Sequence, residues 1–216
     1  MRRLHDSDLQ DAVGCYGAMK SGLLLSGGMD SLALAWWKRP DIAFTIDYGQ
    51  LAAEAELQAS ATICKRIGIE HQIIRIDCRA LGSGDMAGVE ASSFAPETDW
   101  WPYRNQLLIT LAAMRALHMG VERLWIATVR SDNCHRDGTR DFVDQISGLM
   151  KLQEGGLVIE APAIEMSTAD LIRHAGVPAH FIAWAHSCHR ANVACGQCRG
   201  CNKYFQVFRE LNGALG

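Results

Sequence analysis

The sequence predicts an α/β fold, a doubly wound parallel sheet with helices on both faces. Two observations predict it: short, continuous apolar runs typical of buried strands, and good helix-forming segments that alternate with them. The chain has 216 residues, of which 49% are hydrophobic and 21% charged, and this composition excludes disordered and collagen-like proteins. We therefore expect one main domain with a sizeable core.

The apolar runs and the helix formers place the elements in order. Strands are expected at 22–26, 42–46, 71–76 and 123–127, with a weaker fifth at 157–159. Helices are expected at 30–38, 52–67 and 105–119. A Ser-x-x-Asp capping pattern at Ser167 and Asp170 predicts the start of a further helix that runs through His174.

Two segments interrupt this alternation. Residues 77–102 are irregular and contain several glycines and serines, and a long segment of this kind in a compact domain is usually functional or mobile. The second is the tail after Pro178, where cysteines cluster. We therefore expect a main domain at 1–180 and a C-terminal segment at 181–216 that packs on it.

The charge balance bears on partners and location. There are 21 basic and 24 acidic residues, so nucleic acid is not an expected partner. No apolar run approaches the roughly 20 residues that cross a bilayer, and no apolar signal core follows the first residues. We expect no membrane association and a cytoplasmic protein with reduced thiols.

A glycine-containing loop directly follows the first expected strand and opens the first helix. It consists of Ser26, Gly27, Gly28, Met29, Asp30 and Ser31. Two glycines let backbone N–H groups converge on an anion, and the helix dipole adds to the attraction. The alternative is a tight turn with Asp30 or Ser31 as helix cap. The complete string is more specific, because Ser-Gly-Gly-x-Asp-Ser is the pyrophosphate loop of the N-type ATP pyrophosphatases.

Four of the eight cysteines lie in a fourteen-residue window of the tail. They are Cys188, Cys195, Cys198 and Cys201. Two consecutive Cys-x-x-Cys steps and a fourth sulfur match the closed tetrahedral shell of a structural Zn²⁺ ion. Replacement of one ligand by His186 or His189, an iron–sulfur cluster, and a disulfide are the alternatives.

The other four cysteines are scattered along the chain. Small buried core residues are the simplest interpretation of Cys15, Cys64 and Cys78. Cys134 stands beside His135 in a polar stretch, so a catalytic thiol is a second interpretation there.

The loop and the cysteine tail together resemble the 7-cyano-7-deazaguanine synthase family of queuosine biosynthesis. Other matches follow in order over roughly residues 21–210. They are Asp47-Tyr48-Gly49-Gln50 with Glu54, Pro102-Tyr103-Arg104-Asn105, Ser131-Asp132, Arg140-Asp141-Phe142, Ala161-Pro162 and the knuckle around Gly196.

The resemblance implies a fold, a reaction and partners. The fold is a Rossmann-like sheet of the adenine nucleotide alpha hydrolase type, and members are usually homodimers. They adenylate 7-carboxy-7-deazaguanine with ATP and convert it with ammonia, through an amide, to the nitrile. ATP, Mg²⁺ and Zn²⁺ are the cofactors that this implies.

The resemblance also implies roles for single residues. The loop from Ser26 to Ser31 would hold the pyrophosphate, with Asp30 reaching Mg²⁺. Asp47, at the end of a strand, would contact the nucleotide. Arg104 would contact the phosphoryl or carboxylate group, with a solvated helix-start charge as the alternative. Asn105 would hold the loop, and Asp132 joins Asp30 and Arg104 as a catalytic candidate.

The chain departs from the family pattern in its substrate half. Arg136-Asp137-Gly138-Thr139-Arg140 stands where Tyr-Pro-Asp-Cys-Arg is usual, Tyr103 replaces a glycine, and Thr168 replaces a common lysine. Two alternatives follow. One is a ligase that transfers the activated carboxylate to another amine, including one on a protein. The other is a zinc-ribbon binding module with an inactive ATP site.

Overall fold

The computed structural model describes residues 19–213. Within this range, five parallel strands form one sheet in the order β3-β2-β1-β4-β5. The strands are β1 Ser21–Leu24, β2 Ile42–Asp47, β3 Glu70–Arg75, β4 Arg123–Trp125 and β5 Val158–Glu160. The predicted fold class, a parallel sheet with helices, is confirmed.

The helices separate and follow these strands. They are α1 Met29–Lys38, α2 Ala53–Ile67, α3 Gly84–Ala87, α4 Arg104–His118, α5 Arg140–Lys151, α6 Thr168–Ala175, α7 Ala179–Ile182 and α8 Arg199–Asn212. The predicted strands and helices agree with these bounds to within two residues at each end. Short 3₁₀ turns occur at 79–81, 130–134 and 136–138.

Two longer helices, α5 and α8, were not expected from the sequence. In α5 the signal was present, because Val143, Ile146 and Met150 are buried at helical spacing on an otherwise polar helix. In α8 the cysteine pattern dominates the start of the segment. Its Val207 is buried in the main core, so the tail is packed on the sheet domain through this helix.

Two hydrophobic clusters cover the two faces of the sheet. The first contains buried residues of α1, α2, α6 and α8, and the second contains those of α4 and α5. Leu23 of β1 belongs to the first cluster, while Phe44 of β2 and Leu124 of β4 belong to the second. The connecting helices therefore pass from one face of the sheet to the other between β3 and β4. Strand β1, which lies between β2 and β4, is at the switch point of the sheet.

Local capping agrees with the sequence at α6. The Ser167 hydroxyl accepts a hydrogen bond from the Asp170 N–H at 3.1 Å and donates to the Asp170 carboxylate at 2.7 Å. The helix continues through Ala175 and ends at Gly176. The capping pattern thus predicted this helix start correctly.

The irregular segment at 77–102 is anchored by buried side chains. Trp101 is 2% exposed and packs edge-on against Tyr48, with ring centroids 4.9 Å apart. Ser83 and Asp99 of the same segment are also buried. The segment therefore forms part of the wall at one end of the sheet. No helix among the described residues is long and apolar enough to cross a membrane.

Tyr103 is the residue before α4, and its backbone is left-handed, with φ +53° and ψ +24°. Its side chain is 78% exposed, so the ring contributes little packing. We expect Tyr103→Gly to be more stable than Tyr103→Ala by about 1 kcal/mol, because a Cβ is disfavoured in this region. Urea unfolding of the two variants measures the difference, and equal stabilities would contradict it.

Candidate functional site

A cavity of about 500 Å³ opens at the carboxyl edge of the sheet. Its lining comes from the loop after β1, the end of β2, the start of α4, the segment after β4, and the tail with α8. Cavities of this size hold small molecules and cofactors. The cavity coincides with the switch point, where ligands of such sheets collect.

The loop after β1 forms the floor of the cavity at the start of α1. Gly27 has φ +77°, and a Cβ there would lie 2.8 Å from the Glu56 carbonyl oxygen, so only glycine fits. The Ser31 hydroxyl donates to the Gly28 carbonyl at 3.0 Å and lies 3.2 Å from the Ser26 hydroxyl. Gly28, not Asp30 or Ser31, is the cap residue of α1. Such a helix start attracts anions.

Two carboxylates and one ammonium group meet above this loop. Lys203 Nζ lies 2.8 Å from Asp30 Oδ2 and 3.4 Å from Asp132 Oδ1. Asp30 Oδ1 is buried and has no hydrogen-bond partner among residues 19–213. Burial alone would lower the pKa of Lys203, but the two carboxylates raise it, so the group is an ammonium. The sequence did not single out Lys203, because its place in the site depends on the packing of α8.

Arg104 and Asn105 begin α4 at another side of the cavity. Both line it, and the Arg104 guanidinium lies 2.8 Å from the Met86 sulfur. Asn105 Nδ2 donates to the Asp137 carbonyl at 2.9 Å, and its backbone N–H donates to the Asp137 carboxylate at 3.2 Å. Asn105 therefore holds the 3₁₀ turn at 136–138 against the start of α4.

A partly buried acid, Glu56, also lines the cavity and was not singled out from the sequence. Gln50 Nε2 donates to it at 2.8 Å. Burial raises the pKa of Glu56 to about 7, although the Gln50 hydrogen bond and the Arg104 charge act in the opposite direction. Glu54, which the sequence comparison paired with the Tyr-Gly-Gln string, is exposed and accepts a hydrogen bond from Asn192. Glu54 and Glu56 lie on different sides of α2, and of the two only Glu56 faces the cavity.

A second polar cluster surrounds Asp99 at the cavity wall. Arg199 Nη1 lies 3.1 Å from its carboxylate, His189 Nδ1 3.4 Å and His135 Nε2 3.5 Å. Burial alone would raise the pKa of Asp99, but the His135 hydrogen bond and the neighbouring positive charges hold it well below its usual range. Arg199 Nη2 also lies 2.7 Å from Cys134 Sγ. This cluster ties segment 77–102 and the turn after β4 to the tail.

The tail brings four thiols together. Their sulfur atoms all lie within 4.8 Å of one another, so the cluster could hold a metal ion. The four residues are Cys188, Cys195, Cys198 and Cys201. The two flanking histidines have other neighbours: His186 Nε2 lies 3.0 Å from the Ala191 carbonyl, and His189 faces Asp99. Cys198 is also the cap of α8, since its sulfur accepts from the Cys201 N–H. We name these four cysteines the thiol cluster.

The remaining predicted residues lie in different places. Asp47 is not among the residues that line the cavity; its carboxylate accepts from the Gly49 N–H and lies 4.0 Å from Arg75. Its contact with nucleotide stays a prediction. Cys64 and Cys78 are buried in the core, whereas Cys134 is exposed. Cys15 lies outside the described residues.

The chain as a whole is similar to known proteins. Residues 20–212 match the family described as queuosine biosynthesis protein QueC. A 7-cyano-7-deazaguanine synthase from Desulforudis audaxviator is 30% identical, over 90% of this chain and 99% of the relative. Another from Chlorobium luteolum is 31% identical, over 90% and 93%. An NMN synthetase structure from Francisella tularensis has a TM-score of 0.48 and 17% identity, covering 92% of this chain and 79% of that one.

The raised pKa of Glu56 predicts a pH-dependent stability. The pKa rises from the ordinary 4.5 to about 7 in the folded chain, so the unfolded state loses its proton first as pH increases. Ionisation of Glu56 therefore destabilises the fold progressively between these two values, and fully above the second. We expect Glu56→Gln to gain stability relative to the original chain across this window. Below pH 4.5 the gain should be absent.

Urea unfolding at a series of pH values measures this effect. Glu54→Gln is the matched control, because Glu54 lies on the same helix and is exposed. It should show no such pH-dependent gain. A Glu56→Gln difference that is the same at low and high pH would contradict the assignment.

Proposed function

The chain belongs to the QueC family of queuosine biosynthesis proteins, and from this premise we propose that it is an ATP-dependent ligase. Its substrates are 7-carboxy-7-deazaguanine, ammonia and ATP, and its product is 7-cyano-7-deazaguanine. The observation that carries the proposal is the loop from Ser26 to Ser31, which lines the same cavity as Asp132 and Arg104.

The proposed reaction has two activations. In the first, a carboxylate oxygen attacks the α-phosphorus of ATP, the bond to the β-phosphate breaks, and pyrophosphate leaves. Ammonia then attacks the acyl carbon, and AMP departs with the oxygen to give the amide. In the second, the amide oxygen attacks the α-phosphorus of another ATP. Loss of AMP and two protons then leaves the nitrile.

The chain's contribution to these steps is positioning and charge stabilisation. The N–H groups at the start of α1 and the hydroxyls of Ser26 and Ser31 would bind the departing pyrophosphate. Arg104, held at the start of α4, is the cation for the phosphoryl or carboxylate oxygens. Glu56 lines the cavity as an additional polar group, and the hydrogen bond from Gln50 orients its carboxylate.

Asp30 and Asp132 are the residues that would hold Mg²⁺. Carboxylate oxygens are the ligands this ion prefers, and the buried Asp30 Oδ1 without a partner in the described chain is a suitable donor. When bound, the ion would neutralise phosphate charge. The four thiols are suitable ligands for Zn²⁺. Four thiolates would close the coordination shell of the ion and leave no position for substrate. Zinc would therefore act structurally, by fixing the start of α8.

Product analysis tests the proposed function. Incubation with 7-carboxy-7-deazaguanine, ATP, Mg²⁺ and ammonium should give the nitrile by mass spectrometry, with AMP and pyrophosphate released. Asp30→Asn should lower kcat/KM by about 100-fold, because one of the two carboxylates that would hold Mg²⁺ beside the phosphates is lost. Asp144→Asn, on the exposed face of α5, is the control and should retain activity.

Other outcomes separate the alternatives. An amide or adenylate that accumulates without nitrile would contradict the synthase and favour transfer to another amine. No ATP consumption with any deazaguanine or nucleobase carboxylate would contradict an enzyme of this type. The homodimer stays a prediction of the family resemblance, and the cytoplasmic location stays a prediction from the sequence.

The zinc proposal has its own test. Cys198→Ala should lose the metal and unfold at a lower temperature, because it removes a ligand and the cap of α8 together. Elemental analysis and thermal unfolding measure the two effects. Cys64→Ala, in the main core, is the control that should destabilise the fold but keep the metal. Full metal content in Cys198→Ala would contradict the ligand assignment.

A further inference from the structure

Lys203, near the C-terminal end of the chain, contacts Asp30 of the loop from Ser26 to Ser31. It lies 173 residues from Asp30 and 71 from Asp132 in sequence, yet its ammonium contacts both carboxylates. Its side chain is 29% exposed and lines the cavity. The ammonium therefore faces both the acidic pair and the space in which the phosphates of ATP would lie.

The ammonium of Lys203 would repel a divalent cation that binds to the same two carboxylates. An ammonium and Mg²⁺ that share two carboxylate ligands would lie a few ångströms apart, where their repulsion is strong in a partly buried site. Phosphate oxygens offer the ammonium an alternative set of acceptors. A lysine side chain can make this exchange, because its four-carbon stem is flexible and its three N–H donors rotate freely.

We propose that Lys203 is a mobile counter-ion of the ATP site. In the free protein it neutralises Asp30 and Asp132. When ATP and Mg²⁺ bind, Asp30 and Asp132 would hold the ion, and Lys203 moves its ammonium from these carboxylates to the phosphate oxygens. This inference rests on the proposed function, since it assigns a further residue to the same site.

The tail determines where this counter-ion stands. Lys203 is two residues after Cys201, in the first turns of α8, whose start is capped by Cys198 in the thiol cluster. Val207, one turn further on, is buried in the main core. The helix is thus held on both sides of Lys203.

Two binding measurements on a single variant test the exchange. In Lys203→Met, the affinity for α,β-methylene-ATP with Mg²⁺ should fall about 10- to 100-fold, because a charge-assisted contact to phosphate is lost. The affinity of the nucleotide-free protein for Mn²⁺ should instead rise roughly 10-fold, because a competing cation is gone. Calorimetry measures the first affinity, and electron paramagnetic resonance of free Mn²⁺ measures the second.

Three further variants make the result specific. Lys203→Arg keeps the charge and should recover most of the nucleotide affinity. Adding Asp132→Asn to Lys203→Met should abolish the gain in Mn²⁺ affinity. Arg209→Met removes an exposed cation from the same helix and should leave both affinities unchanged. Circular dichroism and metal content establish that each variant is folded and retains its thiol cluster.

The opposite directions of the two effects distinguish this role from a structural one. A fall in both affinities would mean that Lys203 only supports the fold of the site and would overturn the proposal. An unchanged nucleotide affinity would overturn it as well, while leaving the proposed function intact. If the original chain binds no nucleotide analogue, the proposed function fails and the counter-ion role fails with it.

Discussion

The position of β1 at the switch point of the sheet is the constraint on which the site depends. Helices α1 and α2 cover one face and α4 and α5 cover the other. The connections that follow the two neighbours of β1, strands β2 and β4, therefore run over opposite faces of the sheet. No connection needs to cross its carboxyl end, and the loop that follows can meet a ligand. The loop from Ser26 to Ser31, Asp132 and Arg104 converge here because the connections that follow β1, β4 and β3 all begin at this edge.

Charge balance is the second condition that this geometry creates. Asp30, Asp132, Glu56 and Asp99 all line one cavity, and without compensation their mutual repulsion would oppose folding. The structure resolves this in several ways. Basic side chains from the tail neutralise three of these acids, whereas burial shifts Glu56 towards its protonated form. The tail is thus required for the electrostatics of the site as well as for its walls.

The segment in which the family pattern breaks has a physical role in this arrangement. Asn105 and Asp137 hold the 3₁₀ turn, and His135 contacts Asp99, which in turn binds Arg199 of the tail. Changes in this segment therefore alter the wall of the cavity rather than the loop from Ser26 to Ser31.

The sequence by itself determined the strands, the main helices, the loop from Ser26 to Ser31 and the thiol cluster, because each is encoded by local periodicity or by close spacing. Tertiary structure alone decided that Glu56 rather than Glu54 faces the cavity, and that Asp47 lies outside its lining. It also decided that Lys203 meets Asp30 across 173 residues. Such contacts depend on how α8 packs on the sheet, and no local pattern specifies the packing of distant elements.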